Sequence, residues 1–227
     1  RAILVLPREL IDRLRAAPPD VAVDLRGDLR EIALLLWPSR ARRRASCDVA
    51  GGGALLTDVV LYREGHRIDY MLQIARHLGA SEAPAEMSLA SRPEGLRLSR
   101  ELRESRGAGG DFVLVHCGTR VPLKAYDRMR AVGDALARED GISVIALGDG
   151  PEALSVDGLV ELVRSARLLI CHDSAPWHVA QAVGTPAVAI FGPSKPWATG
   201  LYPGRRGRLV SLDLPCRDAC DEATCRR

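Results

Sequence analysis

Short apolar runs alternate with amphipathic runs along most of the chain. Val21-Ala-Val-Asp-Leu25 reads as a strand, and a helical stretch follows it through Trp37. Val59-Val-Leu-Tyr62 has the composition of another strand. The segment from Ile68 to Leu78 carries its apolar residues at helical spacing, with Gly79 placed to stop it. From Ser81 to about Glu94 the periodicity disappears and Pro, Ser, Glu and Ala rise. A helix is expected next, up to Arg106, and Gly107-Ala-Gly-Gly110 interrupts the chain. This pattern predicts a domain boundary near residue 108, separating 1–107 from 108–227.

The second half is more regular. Strands are predicted at Phe112–His116, Ile142–Leu147, Leu168–Cys171 and Ala187–Phe191, and helices at Leu123–Arg138, Leu159–Ala166 and Trp177–Val183. Continuous apolar strands alternating with helices imply an α/β fold with a parallel sheet covered on both faces. Such sheets bind ligands beyond the carboxyl ends of their strands. The loops to inspect are therefore His116–Lys124, Gly148-Asp-Gly150, His172–His178 and Gly192–Lys195.

Composition narrows the function classes. The 227 residues are 47% apolar and 27% charged, which describes a globular protein rather than a disordered chain or a disulfide scaffold. The longest apolar run, Ile32 to Trp37, is far too short to span a bilayer. A net charge of +3 with scattered acids, and 4% aromatic residues, argue against a nucleic-acid partner. Of the 32 basic residues only Lys124 and Lys195 are lysines, and both fall in the loops just named. Cys47, Cys117 and Cys171 stand apart and read as reduced thiols of a cytoplasmic protein.

Those loops combine Gly, Pro and small polar residues, as a phosphate-bearing ligand requires: close backbone approach and the unpaired donors of a helix start. Asp173 and Ser174 stand where a helix begins, and Pro176 suits its first turn. His178 lies four residues after Ser174 on the same helical face. The plainer alternative is an N-cap followed by a first-turn polar residue.

The run Asp173-Ser-Ala-Pro-Trp-His-Val-Ala-Gln-Ala-Val-Gly-Thr-Pro-Ala-Val-Ala-Ile-Phe-Gly-Pro193 resembles the signature of glycosyltransferase family 9, the ADP-heptose:lipopolysaccharide heptosyltransferases. The stretch from His116 to Lys124 resembles the family's Gly- and Lys-containing loop, with Ala125-Tyr126 in place of its Trp-Pro. Asp24-Leu-Arg-Gly27 and the segment from His66 to Gly79 resemble the family's N-terminal half. The family's opening Gly-rich loop has no counterpart, so an N-terminally incomplete member is expected, and Cys117 replaces a usual Pro.

The resemblance implies a GT-B-like fold of two Rossmann-like domains facing across a cleft. An incomplete acceptor-side domain would occupy 1–107, and a nucleotide-sugar domain with a Cys-containing tail 108–227. It implies that Lys124 contacts the donor diphosphate and stabilises it as leaving group, that Thr119 helps anchor it, and that Asp173 binds sugar hydroxyls. Ser174, Ala175 and His178 would line the diphosphate or sugar, and Lys195 would add a second phosphate contact. The catalytic base would lie in the absent opening loop; Asp24 and Asp28 are near it in sequence.

The expected reaction is a single inverting displacement that requires no cofactor, in keeping with the absence of an Asp-x-Asp motif. The expected donor is ADP-heptose, and the acceptor a lipopolysaccharide core or another lipid-linked molecule. The protein would be cytoplasmic, with peripheral contact to the inner membrane. Transfer to a protein acceptor of the autotransporter type, a related epimerase, and a catalytically silent nucleotide-sugar-binding protein are the competing readings.

Two features stand outside this core. Arg40-Ala-Arg-Arg-Arg44 would meet an anionic acceptor or membrane surface, or form a solvated helix end. Cys216, Cys220 and Cys225 would hold Zn or Fe with a fourth ligand from elsewhere, or remain free or partly disulfide-linked.

Overall fold

The computed structural model describes residues 8–61, 65–81, 86–148 and 154–216. The chain divides into two compact units, Arg1–Ala85 and Glu86–Arg227.

The first unit contains α1 (Arg8–Ala16), β1 (Val21–Val23), α2 (Leu29–Glu31), β2 (Arg43–Cys47), β3 (Asp58–Val60) and α3 (Arg67–His77). Asp28 caps α2, its carboxylate accepting the Arg30 N–H at 2.8 Å. The helix then widens into a π-type turn over Ile32–Leu36, where Trp37 N–H reaches the Ile32 carbonyl at 2.9 Å. The three strands form a parallel sheet in the order β1-β2-β3. Its core holds Ala45, Cys47, Val60, Tyr70 and Ile74.

The basic run does not form a helix end. Arg43 and Arg44 open the central strand β2 rather than ending a helix. Arg43 donates to Asp58 on β3 at 2.6 Å and holds that carboxyl below the usual carboxylate range. Arg44 donates to the carbonyls of Leu55 and Ala41. Arg43 thus binds strand to strand, which no local periodicity announces.

The second unit starts with α4 (Pro93–Ser105) and continues β4 (Val113–His116), α5 (Met129–Glu139), β5 (Val144–Leu147), α6 (Val156–Ser165), β6 (Leu168–His172), α7 (Ala175–Val183), β7 (Ala187–Phe191), α8 (Pro196–Thr199) and β8 (Gly207–Ser211). The sequence placed α4 before the boundary at 107/108, but the contact division falls at Ala85/Glu86. The reason is packing: α4 lies on α6 so closely that a Cβ on Gly95 would come within 2.5 Å of the Asp157 carbonyl oxygen. Strand β8, which the sequence reading omitted, pairs with β7 from Ala187↔Gly207 to Phe191↔Ser211.

All five strands of this unit are parallel, in the order β5-β4-β6-β7-β8. Alternate residues feed two cores. Phe112, Leu114, Ile145, Leu169 and Cys171 join α6 and α7 on one face, while Val113, Val115 and Ile170 join Met129 of α5 on the other. Burial raises the Cys171 thiol well above its ordinary pKa, as befits an inert core thiol.

Trp177 keys the first core. It is fully buried, meets Phe191 edge-on at 6.1 Å, and donates its indole N–H to the Thr199 carbonyl at 2.9 Å. Trp177→Ala should cost about 3–5 kcal/mol, from lost burial and an empty cavity. Urea unfolding of the variant checks this, and a loss below about 1 kcal/mol would contradict the packing described.

Candidate active site

Strand order fixes where a ligand can sit. The connection from β4 passes through α5 to β5 on one side, whereas β6, the other neighbour of β4, lies across a crossover in the opposite direction. The loops leaving β4 and β6 therefore diverge and open a crevice beyond their carboxyl ends.

The loop after β4 runs from Cys117 into a single 3₁₀ turn at Pro122–Lys124. Its start is pressed against the end of β5: Cys117 N–H donates to the Leu147 carbonyl at 2.6 Å. A Cβ on Gly118 would lie 2.1 Å from the Gly148 carbonyl oxygen, and Gly148 itself has φ +93°. Both positions thus require glycine. Thr119 Oγ1 accepts the Val121 N–H at 3.2 Å and shapes the approach to the turn. Lys124 leaves the turn with its Nζ 2.9 Å from Asp173 Oδ2, and the two side chains are only 14% and 5% exposed.

Asp173 belongs to the loop after β6, where its N–H donates to the Ile190 carbonyl of β7 at 3.2 Å. Ser174 follows as the N-cap of α7. Its hydroxyl lies 3.3 Å from the His172 carbonyl and does not cap the helix; Pro176 has no N–H and Trp177 N–H donates to the Ser174 carbonyl at 3.0 Å, so Ala175 N–H is the donor that the start of α7 offers a ligand. His172, just before Asp173, is fully buried and accepts the Tyr126 N–H on Nε2 at 2.8 Å. Burial holds its pKa below the ordinary histidine value.

Together these loops surround a cavity of about 500 Å³. It brings together Thr119, Lys124, Asp173, Ser174 and Ala175, five of the positions expected from sequence. His178 stands beside it, half-exposed, with Nε2 4.0 Å from Asp173 Oδ1. Lys195 does not line it. That lysine is at the start of α8, its ammonium 5.5 Å from the Trp197 ring centre.

His116, Arg120, Gly148 and Leu159 also line the cavity, and sequence reasoning had not assigned them roles. Arg120 was hidden among the many arginines, and His172 by its neighbour Asp173. A larger cavity, about 670 Å³, opens at the amino ends of β4, β5 and β6. Its charged residues, Asp111 and Arg167, are largely exposed and paired with each other at 3.1 Å, so it lacks the converging buried groups of the first.

In the first unit, neither aspartate near the expected base is built for that task. Asp24 is buried, accepting the Arg26 and Asp28 N–H groups and the Ser46 hydroxyl at 2.8, 3.1 and 2.8 Å. Asp28 is held down to about 2 by its bonds from Arg30, which leaves it a weak base. Cys216 is a half-buried free thiol, while Cys220 and Cys225 lie outside the described residues, as do Asp149 and Gly150. Among the described residues no three His, Cys, Asp or Glu side chains form a metal cluster, and no helix is long and apolar enough to cross a membrane.

The fold is that of GT-B-like glycosyltransferases. A glycosyl transferase family 9 structure from Veillonella parvula superposes with a TM-score of 0.70 at 20% identity, covering 90% of this chain and 66% of that one. The E. coli heptosyltransferase WaaC with ADP gives a TM-score of 0.63 at 15% identity, covering 94% and 71%. In sequence, lipopolysaccharide heptosyltransferase 3 of E. coli is 26% identical over 93% of this chain and 72% of its own length. Lipopolysaccharide heptosyltransferase 1 of Pseudomonas aeruginosa is 35% identical over 72 residues, 32% of this chain and 20% of its own length. The sequence model of glycosyltransferase family 9 (heptosyltransferase) matches residues 151–226. The chain is thus similar to that family's model over residues 151–226 and to a lipopolysaccharide heptosyltransferase over most of its length.

The buried imidazole makes stability depend on pH. Between its lowered native pKa and about 6.5, the unfolded state binds a proton that the native state does not. Stability from His172 is therefore complete above about 6.5 and is lost as pH falls below it, by at most about 1.4 kcal/mol at one unit lower. Denaturation at pH 7.5 and 5.5 should show a shallower decline for His172→Gln than for the wild type. Equal slopes would contradict a neutral buried imidazole.

Proposed function

We propose that the protein transfers a heptosyl group from ADP-heptose to a lipopolysaccharide-core acceptor, with inversion at the anomeric carbon. The names of its relatives supply heptose and lipopolysaccharide, and the ADP-bound WaaC structure supplies the nucleotide. The observation that carries the reading is the convergence of Lys124 and Asp173, from separate loops, at 2.9 Å in one largely buried crevice.

In the proposed reaction an acceptor hydroxyl oxygen forms the new bond to the anomeric carbon and gives up its proton. The bond from that carbon to the diphosphate oxygen breaks, and its electron pair leaves with ADP. The charge growing on the diphosphate meets the Lys124 ammonium and the Ala175 N–H at the start of α7, groups already in place before the reaction. Lys124 thereby fills the role that a divalent cation plays in other transferases. Arg120 adds a second positive charge at the mouth.

Asp173 can only accept hydrogen bonds when ionised and repels phosphate, so it is assigned to the sugar hydroxyls. Thr119, Ser174 and Ala175 border the diphosphate, and His178 the sugar side. The acceptor being lipid-linked, the enzyme would work at the cytoplasmic face of the inner membrane.

Calorimetry with ADP and ADP-heptose tests this division of labour. Lys124→Ala should weaken both ligands by roughly 10- to 100-fold, the range for a charged hydrogen bond. Asp173→Asn should weaken ADP-heptose while leaving ADP unchanged or tighter, since a repulsive charge is gone. Equal losses for both ligands in Asp173→Asn would refute the sugar assignment, and failure of the wild type to bind any ADP-sugar would refute the donor reading. Turnover on a lipopolysaccharide-core acceptor separates a transferase from a binding protein.

A further inference from the structure

The loop that carries Lys124 has little internal structure. Between the end of β4 and the start of α5 it makes one 3₁₀ turn, and the Tyr126 side chain at its far end is exposed rather than packed in the core. A lysine has four rotatable side-chain bonds, so its ammonium is directed only if its backbone is fixed. The beginning of the loop is fixed by the Cys117 and Gly118 contacts with the end of β5. Its far end is held at two points by consecutive residues of β6 and its loop: Asp173 takes the Lys124 ammonium, and His172 takes the Tyr126 amide two residues later.

The second contact differs in kind from the first. The ion pair involves charges that a bound diphosphate would share, whereas the Tyr126 N–H to His172 Nε2 bond is between neutral groups in the protein interior. It needs the tautomer whose Nε2 carries a lone pair. It therefore persists while Lys124 is drawn toward a ligand.

We infer that His172 is a positioning residue of the donor site: by holding the Tyr126 amide it fixes the backbone beneath Lys124, so that the ammonium is presented to the crevice before a ligand arrives. This rests on the reading of the crevice as a diphosphate site. A histidine that merely fills the end of β6 would be replaceable by any side chain of similar volume. One that acts through its Nε2 is replaceable only by a side chain with an acceptor at the same place. Glutamine provides one, since its Oε1 reaches as far as Nε2, and leucine provides none.

The test compares His172→Leu with His172→Gln in the whole chain, reading Tyr126 amide hydrogen exchange by NMR without ligand and the Kd for ADP by calorimetry. His172→Leu should speed exchange at Tyr126 and raise the Kd, each roughly ten-fold, which is the worth of one buried hydrogen bond. His172→Gln should restore both to within about three-fold of wild type. In a Lys124→Ala background, His172→Leu should raise the Kd less than about two-fold, because the charge it positions is gone. If His172→Leu does not fold, His172→Asn, whose oxygen is too short to reach the amide, takes its place with the same expectations.

Three results would overturn the proposal: an unchanged Tyr126 amide in His172→Leu, equal losses in the Leu and Gln variants, or a full additional loss in the Lys124→Ala background. Absence of ADP binding by the wild type would instead refute the donor reading. Exchange at Tyr126 would then still decide whether His172 holds the loop.

Discussion

The reversal of strand order between β4 and β6 is the constraint on which the rest depends. Two neighbouring parallel strands send their chains in opposite directions, and no backbone fills the space between their ends. The sheet must bury both faces to be stable, so α5 and the α6–α7 pair are forced to opposite sides, and the crevice follows. Lys124 and Asp173, 49 residues apart in sequence, meet there only because Val113–Val115 and Leu168–Ile170 are in register.

The ion pair in that crevice is a poor device for stability alone. Removing two charges from water offsets most of their attraction, and a well-packed apolar pair would serve the fold as well. Its geometry makes better sense as preparation for a ligand. With the crevice unoccupied, Asp173 neutralises Lys124 and holds it near the start of α7. In the proposed reading a diphosphate approaches the ammonium and the Ala175 N–H, with its sugar directed toward the carboxylate. The fold thus meets part of the cost of ordering the site, which raises affinity without new contacts.

Sequence conveyed the second unit better than the first, for physical reasons. Strand Phe112–His116 is buried on both faces, and Ala187–Phe191 is buried on one and half-buried on the other, so both spell themselves as apolar runs. Strand β2 begins with two arginines whose charges are satisfied by Asp58 and by backbone carbonyls from elsewhere in the chain, so its pattern resembles a solvated surface. Helix α4 opens on Pro93 and has the spacing of a helix, but only its packing on α6 assigns it to the C-terminal unit. Within the site, the Asp173 loop was legible because a helix start and a signature coincide there. The relation of His172 to Tyr126 was not, since it joins residues 46 apart through a backbone amide that has no letter in the sequence. Lys195 shows the opposite error: its loop has suitable composition, yet the ammonium rests on Trp197.

The most direct test of the central claim is a crystal structure of the protein with ADP bound. The account predicts the diphosphate beyond the carboxyl ends of β4 and β6, with a phosphate oxygen within hydrogen-bond reach of Lys124 Nζ and of a backbone N–H at the start of α7. ADP seated in the larger cavity near Asp111 and Arg167, or phosphates turned away from Lys124, would contradict it.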